Sequence, residues 1–412
     1  MPTQHKANWE VQTFCSSKKP LAGQMHIYVH IPFCRTFCRY CSFYSVKGLN
    51  NRESYIKAVL KEAADKSRFF EDADYKFKEG CHTLYFGGGT PSCLTISQLT
   101  ELVTGIKDLF STEFKEFTIE ANPNDISLPF AEILKTLGVN RVSLGVQSFV
   151  DEHLRWMNRR HTALEAISAV NILRKAGIDN ISLDLIFGYS SLTDAQWEYN
   201  LKTITGLRPN HISAYQMSID PGSPLGKQYE KGEYLPPSDE KCAAQYSFLQ
   251  DYLASKGYGQ YEISNFALNE QCRSIHNSSY WRRVPYLGLG PGAHSYRGVE
   301  RSWNKDNLSE YIRYYTGSGE AGLSLSDISS GEHLSSVDIF DETVMLGLRT
   351  TSGVDFEMLK AEYPAFYRKI ERQLSLYIAA GKLVPAGDGA MQYAVANGHL
   401  FVADNIIRNL FV

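Results

Sequence analysis

Six short runs rich in β-branched and aromatic residues recur along the first half of the chain, each followed by a longer stretch with helical spacing of its apolar positions. The runs are "HIYVHIP" (26–32), "TLYFGG" (83–88), "FTIEANP" (117–123), "RVSLGVQ" (141–147), "NISLDLIFG" (180–188) and "HISAYQMSI" (211–219). Runs of this length and composition suit strands, and the intervening segments 51–68, 97–110, 128–137, 162–176 and 194–206 suit crossover helices. Gly138 and Gly177 stand where two of those helices would stop, because glycine takes the left-handed cap without strain. Strand alternating with helix six times predicts βαβ units and a parallel sheet. A repeat of about 30 residues fits either a doubly wound sheet or an incomplete barrel.

Beyond 235 this rhythm breaks. Residues 236–256 predict one long helix, 257–305 an irregular stretch rich in aromatics and glycine, and the segment from about 335 short helices closing with a hairpin over 383–402. The expected organisation is a polar tail (1–25), an α/β unit (26–235), a bridging segment (236–330) and a small, mainly helical C-terminal domain (331–412).

Composition acts mainly by exclusion. With 43% hydrophobic and 21% charged residues over 412 positions, the chain reads as an ordinary globular protein with a sizeable core. A net charge of −3 gives no basic footprint for nucleic acid. No run approaches the length of a membrane span, and "MPTQHKANWEVQTFCSSKKPLAG" lacks the apolar centre of a signal peptide. A cytoplasmic location is expected, where a tight group of thiols is a metal or redox site rather than a disulfide framework.

Such a group exists. "YVHIPFCRTFCRYCSFYS" (28–45) holds Cys34, Cys38 and Cys41, while the other five cysteines, Cys15 in the tail among them, lie scattered. The spacing Cys-x3-Cys-x2-Cys falls at the exit of the first strand. A structural zinc site wants four protein ligands, and so does an ordinary cubane cluster. Three thiolates on a four-iron cluster leave one iron open, which is what a reactive site needs. Metal-free thiols and zinc are the alternatives at this point.

Further candidates also sit at strand ends, the face where barrels and open α/β sheets build their sites. Gly87, Gly88, Gly89 and Thr90 free the backbone to approach a ligand. Glu120 closes the third strand as an acceptor, and Gln147 ends the fourth. Asp184, among Leu183, Leu185 and Ile186, reads as a buried carboxylate in need of a partner, with Arg159 a candidate.

"CRTFCRYC" is the signature of the radical S-adenosylmethionine (SAM) superfamily. Together with "YVHIPFC", "FGGGTPS", "IEANP", "VSLGVQSF" and "SLDLIFG", it makes the chain from about residue 26 to its end resemble the HemN/HemW family. The resemblance implies a partial (β/α)6 barrel with a winged-helix-like C-terminal domain. It implies a [4Fe-4S] cluster on the three cysteines, with SAM chelated to the open iron and cleaved by one electron to methionine and a 5′-deoxyadenosyl radical. It places Tyr28, Gly88, Gly89, Thr90, Glu120, Gln147, Arg159 and Asp184 against SAM.

That family divides. Its oxygen-independent coproporphyrinogen III oxidases typically carry a fourth cysteine two residues after the third, where this chain has Phe43. The haem-chaperone branch commonly has an aromatic there and a His-Asn-x-x-Tyr-Trp segment, matched here by His276, Asn277, Tyr280 and Trp281. A neutral imidazole suits haem iron, and Tyr280 and Trp281 suit a porphyrin face. The resemblance thus implies haem as cargo, haem-accepting apo-proteins and an electron donor as partners, peripheral membrane contact, and a monomer or a cluster-dependent homodimer. Oxidative decarboxylation of coproporphyrinogen III is the alternative. Cys272, four residues before His276, could share its helical face, and His294 in "GLGPGAHSY" reads as structural.

Overall fold

The structure, a computed structural model, describes residues 24–70, 82–110, 112–317, 322–387 and 389–412. Most of the polar tail, with Cys15, lies outside them. The six predicted strands form β1 (His26–Ile31), β2 (Thr83–Gly88), β3 (Glu116–Ala121), β4 (Arg141–Gln147), β5 (Asn180–Phe187) and β6 (His211–Gln216), each parallel to the next. Between them run α1 (Arg52–Asp65), α2 (Ile96–Phe110), α3 (Leu128–Thr136), α4 (Ala163–Lys175) and α5 (Asp194–Gly206). Capping boxes Thr162/Glu165 and Thr193/Gln196 start α4 and α5 by satisfying first-turn amides. Spatial order equals chain order, with no reversal, so the winding is that of an incomplete barrel rather than a doubly wound sheet.

Alternation along the strands sorts the residues. Ile27 and Val29, Leu84 and Phe86, Phe117 and Ile119, and Val142 and Leu144 are buried, facing the helix layer. The alternate positions, among them His26, Thr83, Glu116, Thr118, Arg141, Ser182 and His211, are buried too. They give the inner face a polar lining.

The stretch from 236 onward supplies further strands to the same sheet. After α6 (Asp239–Ser255), β7 (Gly259–Gln260) and β8 (Asn265–Ala267) continue it beyond β6. Helix α7 (Ile275–Trp281) then leads to β9 (Tyr286–Leu289), which pairs parallel with β1. Antiparallel β10 (His294–Arg297), β11 (Glu300–Asn304) and β12 (Ser329–His333) follow. The twelve strands run β12-β11-β10-β9-β1-β2-β3-β4-β5-β6-β8-β7. The expectation of an irregular 257–305 is therefore corrected. Strands this short, interrupted by Gly288 and Gly290, leave too few positions for a period to register.

Helix α8 (Leu308–Thr316) packs against α1. Buried Glu62 of α1 ties the two together by accepting bonds from Tyr311 Oη, Asn304 Nδ2 (2.7 Å), Gly290 N (2.8 Å) and Lys66 Nζ (2.7 Å). The C-terminal region comprises α9 (Ser336–Leu348), α10 (Pro364–Ala379), two shorter helices and a small sheet of β13 (Val354–Asp355), β14 (Leu383–Pro385) and β15 (Gln392–Val395). The predicted hairpin is β14–β15. One apolar core runs unbroken from Met25 to Leu410.

Candidate functional site

The C-terminal ends of the parallel strands open into a cavity of about 910 Å³. Its lining brings together Cys34, Cys38 and Cys41 from the loop after β1, Gly88, Gly89 and Thr90 after β2, Glu120 of β3, Gln147 of β4, Arg159, and Asp184 of β5. Of the residues expected at SAM, only Tyr28 is not in this lining. It lines a neighbouring cavity of about 520 Å³, together with Tyr280.

The cysteine loop is held from both sides. Arg39 sends its backbone N–H to Met157 O (3.1 Å), its Nε to Trp156 O (2.8 Å) and its NH1 to Gln228 Oε1 (2.8 Å). Asn158 Nδ2 donates to Phe37 O (2.6 Å), and His30 Nε2 bonds Tyr44 O (2.8 Å). Burial raises the Cys34 thiol and pushes Cys41 up to about 11, so loading a metal must release protons. Arg159 NH1 donates to Cys38 Sγ at 3.3 Å. Among the described residues no three His, Cys, Asp or Glu side chains converge on a single ion. All three thiols border the larger cavity.

The glycine turn has no room for side chains. Gly88 has φ +103°, and a Cβ there would lie 2.5 Å from the His30 ring; one on Gly89 would lie 2.9 Å from Ile31 O and Phe33 O. Glu120 accepts from Tyr85 Oη (2.8 Å) and Gly88 N (3.3 Å), yet burial pushes it up to about 7. Asp184 is pushed up to about 6 by burial, against hydrogen bonds from Ser213 and Ser143. Burial outweighs the Arg141 charge felt by both carboxylates and the Arg159 charge felt by Asp184, and a ligand carrying ammonium or sulfonium charge would favour their ionised forms. Gln147 takes φ 69° where the β4–β5 register shifts, so its backbone is held in the left-handed region at the cavity wall. These features fit both the cluster and SAM.

The expected Arg159–Asp184 pair is not formed. Arg159 NH2 instead bonds Asn122 Oδ1 and Gly145 O, and Asp184 takes hydroxyls. Asn122 and Ser143 line the cavity without having been anticipated. The period-2 alternation that carries Gln147 inward also carries Gly145, Ser143 and Arg141, and would have found Ser143.

The haem candidates sit at the opposite, N-terminal end of the strands. His276 is 1% exposed. Its Nδ1 is bonded to Thr83 Oγ1 and its Nε2 to Tyr280 Oη, both at 2.7 Å, and its ring stacks on Tyr85. Both nitrogens are thus occupied, and in this arrangement neither is open to a metal. Asn277 donates its backbone N–H to Ser274 Oγ, the cap of α7, and Trp281 Nε1 is buried with no hydrogen-bond partner among the described residues. Cys272 does not share the helix of His276. It lies in a separate 3-10 turn, its sulfur 3.6 Å from Asn210 Nδ2. Among the described residues no helix is long and apolar enough to cross a membrane.

Residues 28–204 match the radical SAM superfamily. Heme chaperone HemW of Bacillus subtilis is 33% identical over 340 residues, 82% of this chain and 86% of that protein. Heme chaperone HemW of Synechocystis is 34% identical over 341 residues, covering 81% and 79%. The solved structure of Escherichia coli coproporphyrinogen III oxidase (HemN), a radical SAM enzyme, superposes with a TM-score of 0.76 over 96% of this chain and 92% of its own, at 21% identity, and shares the fold. The chain belongs to the HemW family of radical SAM proteins.

Proposed function

We propose that this protein is a haem chaperone that holds a [4Fe-4S] cluster and SAM in the larger cavity, binds haem, and passes it to apo-proteins in the cytoplasm. Membership in the radical SAM superfamily implies the cluster and SAM; haem, its delivery and the location are the further steps. When bound, the cluster supplies the single electron for SAM cleavage. Cys34, Cys38 and Cys41 hold it, and Gly88 and Gly89 let the backbone reach SAM. Glu120 and Asp184 receive its positive charge, Gln147 and Thr90 border it, and Arg159 balances the thiolates. His276, hydrogen-bonded to Tyr280 and to Thr83, braces the barrel floor.

The observation that carries the reading is Phe43. Two residues beyond Cys41, where the oxidase branch has a thiol, this chain places an aromatic side chain 71% exposed at the rim of both cavities. The test is an anaerobic haemin titration of the cluster-loaded protein, beside incubation with coproporphyrinogen III, SAM and a reductant. Saturable, stoichiometric haemin binding with no vinyl-bearing product supports the chaperone. Conversion to protoporphyrinogen without haemin binding would install the oxidase reading instead.

A further inference from the structure

The smaller cavity has a composition that the cluster site does not explain. It lies beside β1 on the far side of the cysteine loop, with walls from Tyr28, Tyr44, Tyr280, Tyr286 and Tyr296. Tyr280 and Tyr286 meet edge to face at 4.6 Å, and Tyr286 and Tyr296 lie 6.0 Å apart. Such a chain of rings offers a broad apolar surface with polar edges. Arg283 and Arg301 are offset by Glu342 and Asp306, so the lining carries no net charge with its histidines neutral. That suits a flat macrocycle entering by its apolar face with its acid groups left toward solvent.

His294 also lines this cavity, and it differs from the buried histidines of the barrel floor. It is exposed, no ring nitrogen of it is hydrogen-bonded among the described residues, and its ring stacks on Trp303 at 5.7 Å and 22°. The stack fixes its orientation while leaving its nitrogens free. Partial desolvation at the cavity wall and the Arg301 charge outweigh Asp306 and Glu332 and hold its pKa below the usual value, so at neutral pH it offers a lone pair. His276, by contrast, is buried and has both ring nitrogens hydrogen-bonded.

We infer that the smaller cavity is the docking pocket for a planar tetrapyrrole, with His294 as the axial nitrogen donor and Tyr280 and Tyr286 as its walls. The inference rests on the chaperone reading and assigns its cargo a site. It also explains the neighbourhood of the cysteines, since Ser42, Phe43, Tyr44 and Asp306 line both cavities. The residues immediately after Cys41 are therefore a common wall, and ordering them on a cluster shapes the cargo pocket.

The test is haemin titration of the full-length, cluster-loaded protein as wild type, His294→Ala, His276→Ala and Leu346→Trp, read by the Soret band and by electron paramagnetic resonance. The expected result is that His294→Ala loses the nitrogen-ligated spectrum and weakens binding by about tenfold or more, as loss of a metal ligand does at least as strongly as loss of its support. Added imidazole should restore the spectrum. Leu346→Trp, which fills the pocket from α9, should weaken binding at an unchanged melting temperature, and His276→Ala should keep the ligand signature. If His294→Ala keeps both spectrum and affinity while His276→Ala loses them, the pocket assignment is overturned and the chaperone reading stands. If the wild-type protein shows no saturable binding, the chaperone reading falls and the pocket assignment with it.

Discussion

Replacing Glu116 by alanine should loosen α7 from the barrel. Glu116 opens β3 and is 4% exposed. One carboxylate oxygen accepts from Ile275 N at 2.8 Å, and the other from His276 N at 2.9 Å and Ser274 Oγ at 3.3 Å. These amides begin the helix and have no intrahelical partner of their own, so the side chain both satisfies them and places negative charge at the helix start. Glu116→Ala strands two amides at a cost of about 1–3 kcal/mol each, or about 3–5 kcal/mol together with the lost charge-assisted bonds. At about 2 cal/mol/K of unfolding entropy per residue, over 412 residues, that is a fall in melting temperature of about 4–6 °C. Glu116→Gln keeps one accepting oxygen and should lose roughly half as much. Calorimetry gives the global number, and hydrogen exchange should accelerate in the 275–281 peptide ahead of the strands. If Glu116→Ala melts within about 1 °C of wild type, with exchange of that peptide unchanged, the carboxylate does not anchor the helix.

Cys34→Ala, Cys38→Ala or Cys41→Ala should each reduce iron and sulfide per chain after reconstitution to background; stoichiometric retention in any one would remove that residue from the ligand set. Gly88→Ala forces a positive-φ alanine against a His30 ring already tied to Tyr44 O and Tyr28 Oη, at a cost of about 1–3 kcal/mol, and calorimetric titration should find SAM binding weakened. Phe43→Cys puts a thiol on an exposed rim position, so iron per chain should stay at the wild-type value; additional iron or porphyrin decarboxylation would show that one residue separates the two branches. Glu262, 2% exposed, is pushed up to about 7 from 4.5 by burial, against the Ser264 amide and the Arg349 charge. Its folded form prefers the proton, so it weakens the fold progressively as pH rises from about 4.5 to about 7, by up to about 3 kcal/mol. Glu262→Gln should therefore be more stable than wild type at about pH 8 and lose that advantage by about pH 5; parallel melting curves across that range would refute the shift.

What the sequence disclosed follows from how each feature is encoded. The six parallel strands announce themselves because each is six to eight residues long and is separated from the next by a helix of 9 to 15 residues. The cysteines and the glycine turn are legible because their chemistry depends on spacing within a few residues. Partnership across strands is not encoded that way. The sequence offers Arg159 as a partner for Asp184, whereas in space the Ser143 hydroxyl of β4 reaches Asp184 and Arg159 turns to the Cys38 sulfur. His276 looked like a free ligand because nothing in "HNSSYW" says that Tyr280, one helical turn on, takes one ring nitrogen, nor that Thr83 of a distant strand takes the other.

The closed floor and the open top decide how the two ends of the lumen can be used. His26, Thr83, His276 and Tyr280 form a continuous hydrogen-bonded chain across the strand N-termini. Each member satisfies its neighbour, and such a network is costly to open because every donor released inside the barrel loses its partner at once. Opening the larger cavity from that end would break this hydrogen-bonded chain. At the cysteine loop the chain offers two cavities rather than one: Ser42, Phe43 and Tyr44 line both, while β1 residues Tyr28 and His30 line the smaller. His30 stands at the hinge of that division: its Nε2 holds the loop backbone at Tyr44 and its Nδ1 meets Tyr28 Oη at 3.2 Å, while its ring packs where any side chain on Gly88 would go. One imidazole thus touches the glycine turn of the larger cavity, the cysteine loop and a wall of the smaller one. Any shift of the loop would be felt in both cavities through these contacts, with no change required in the sheet.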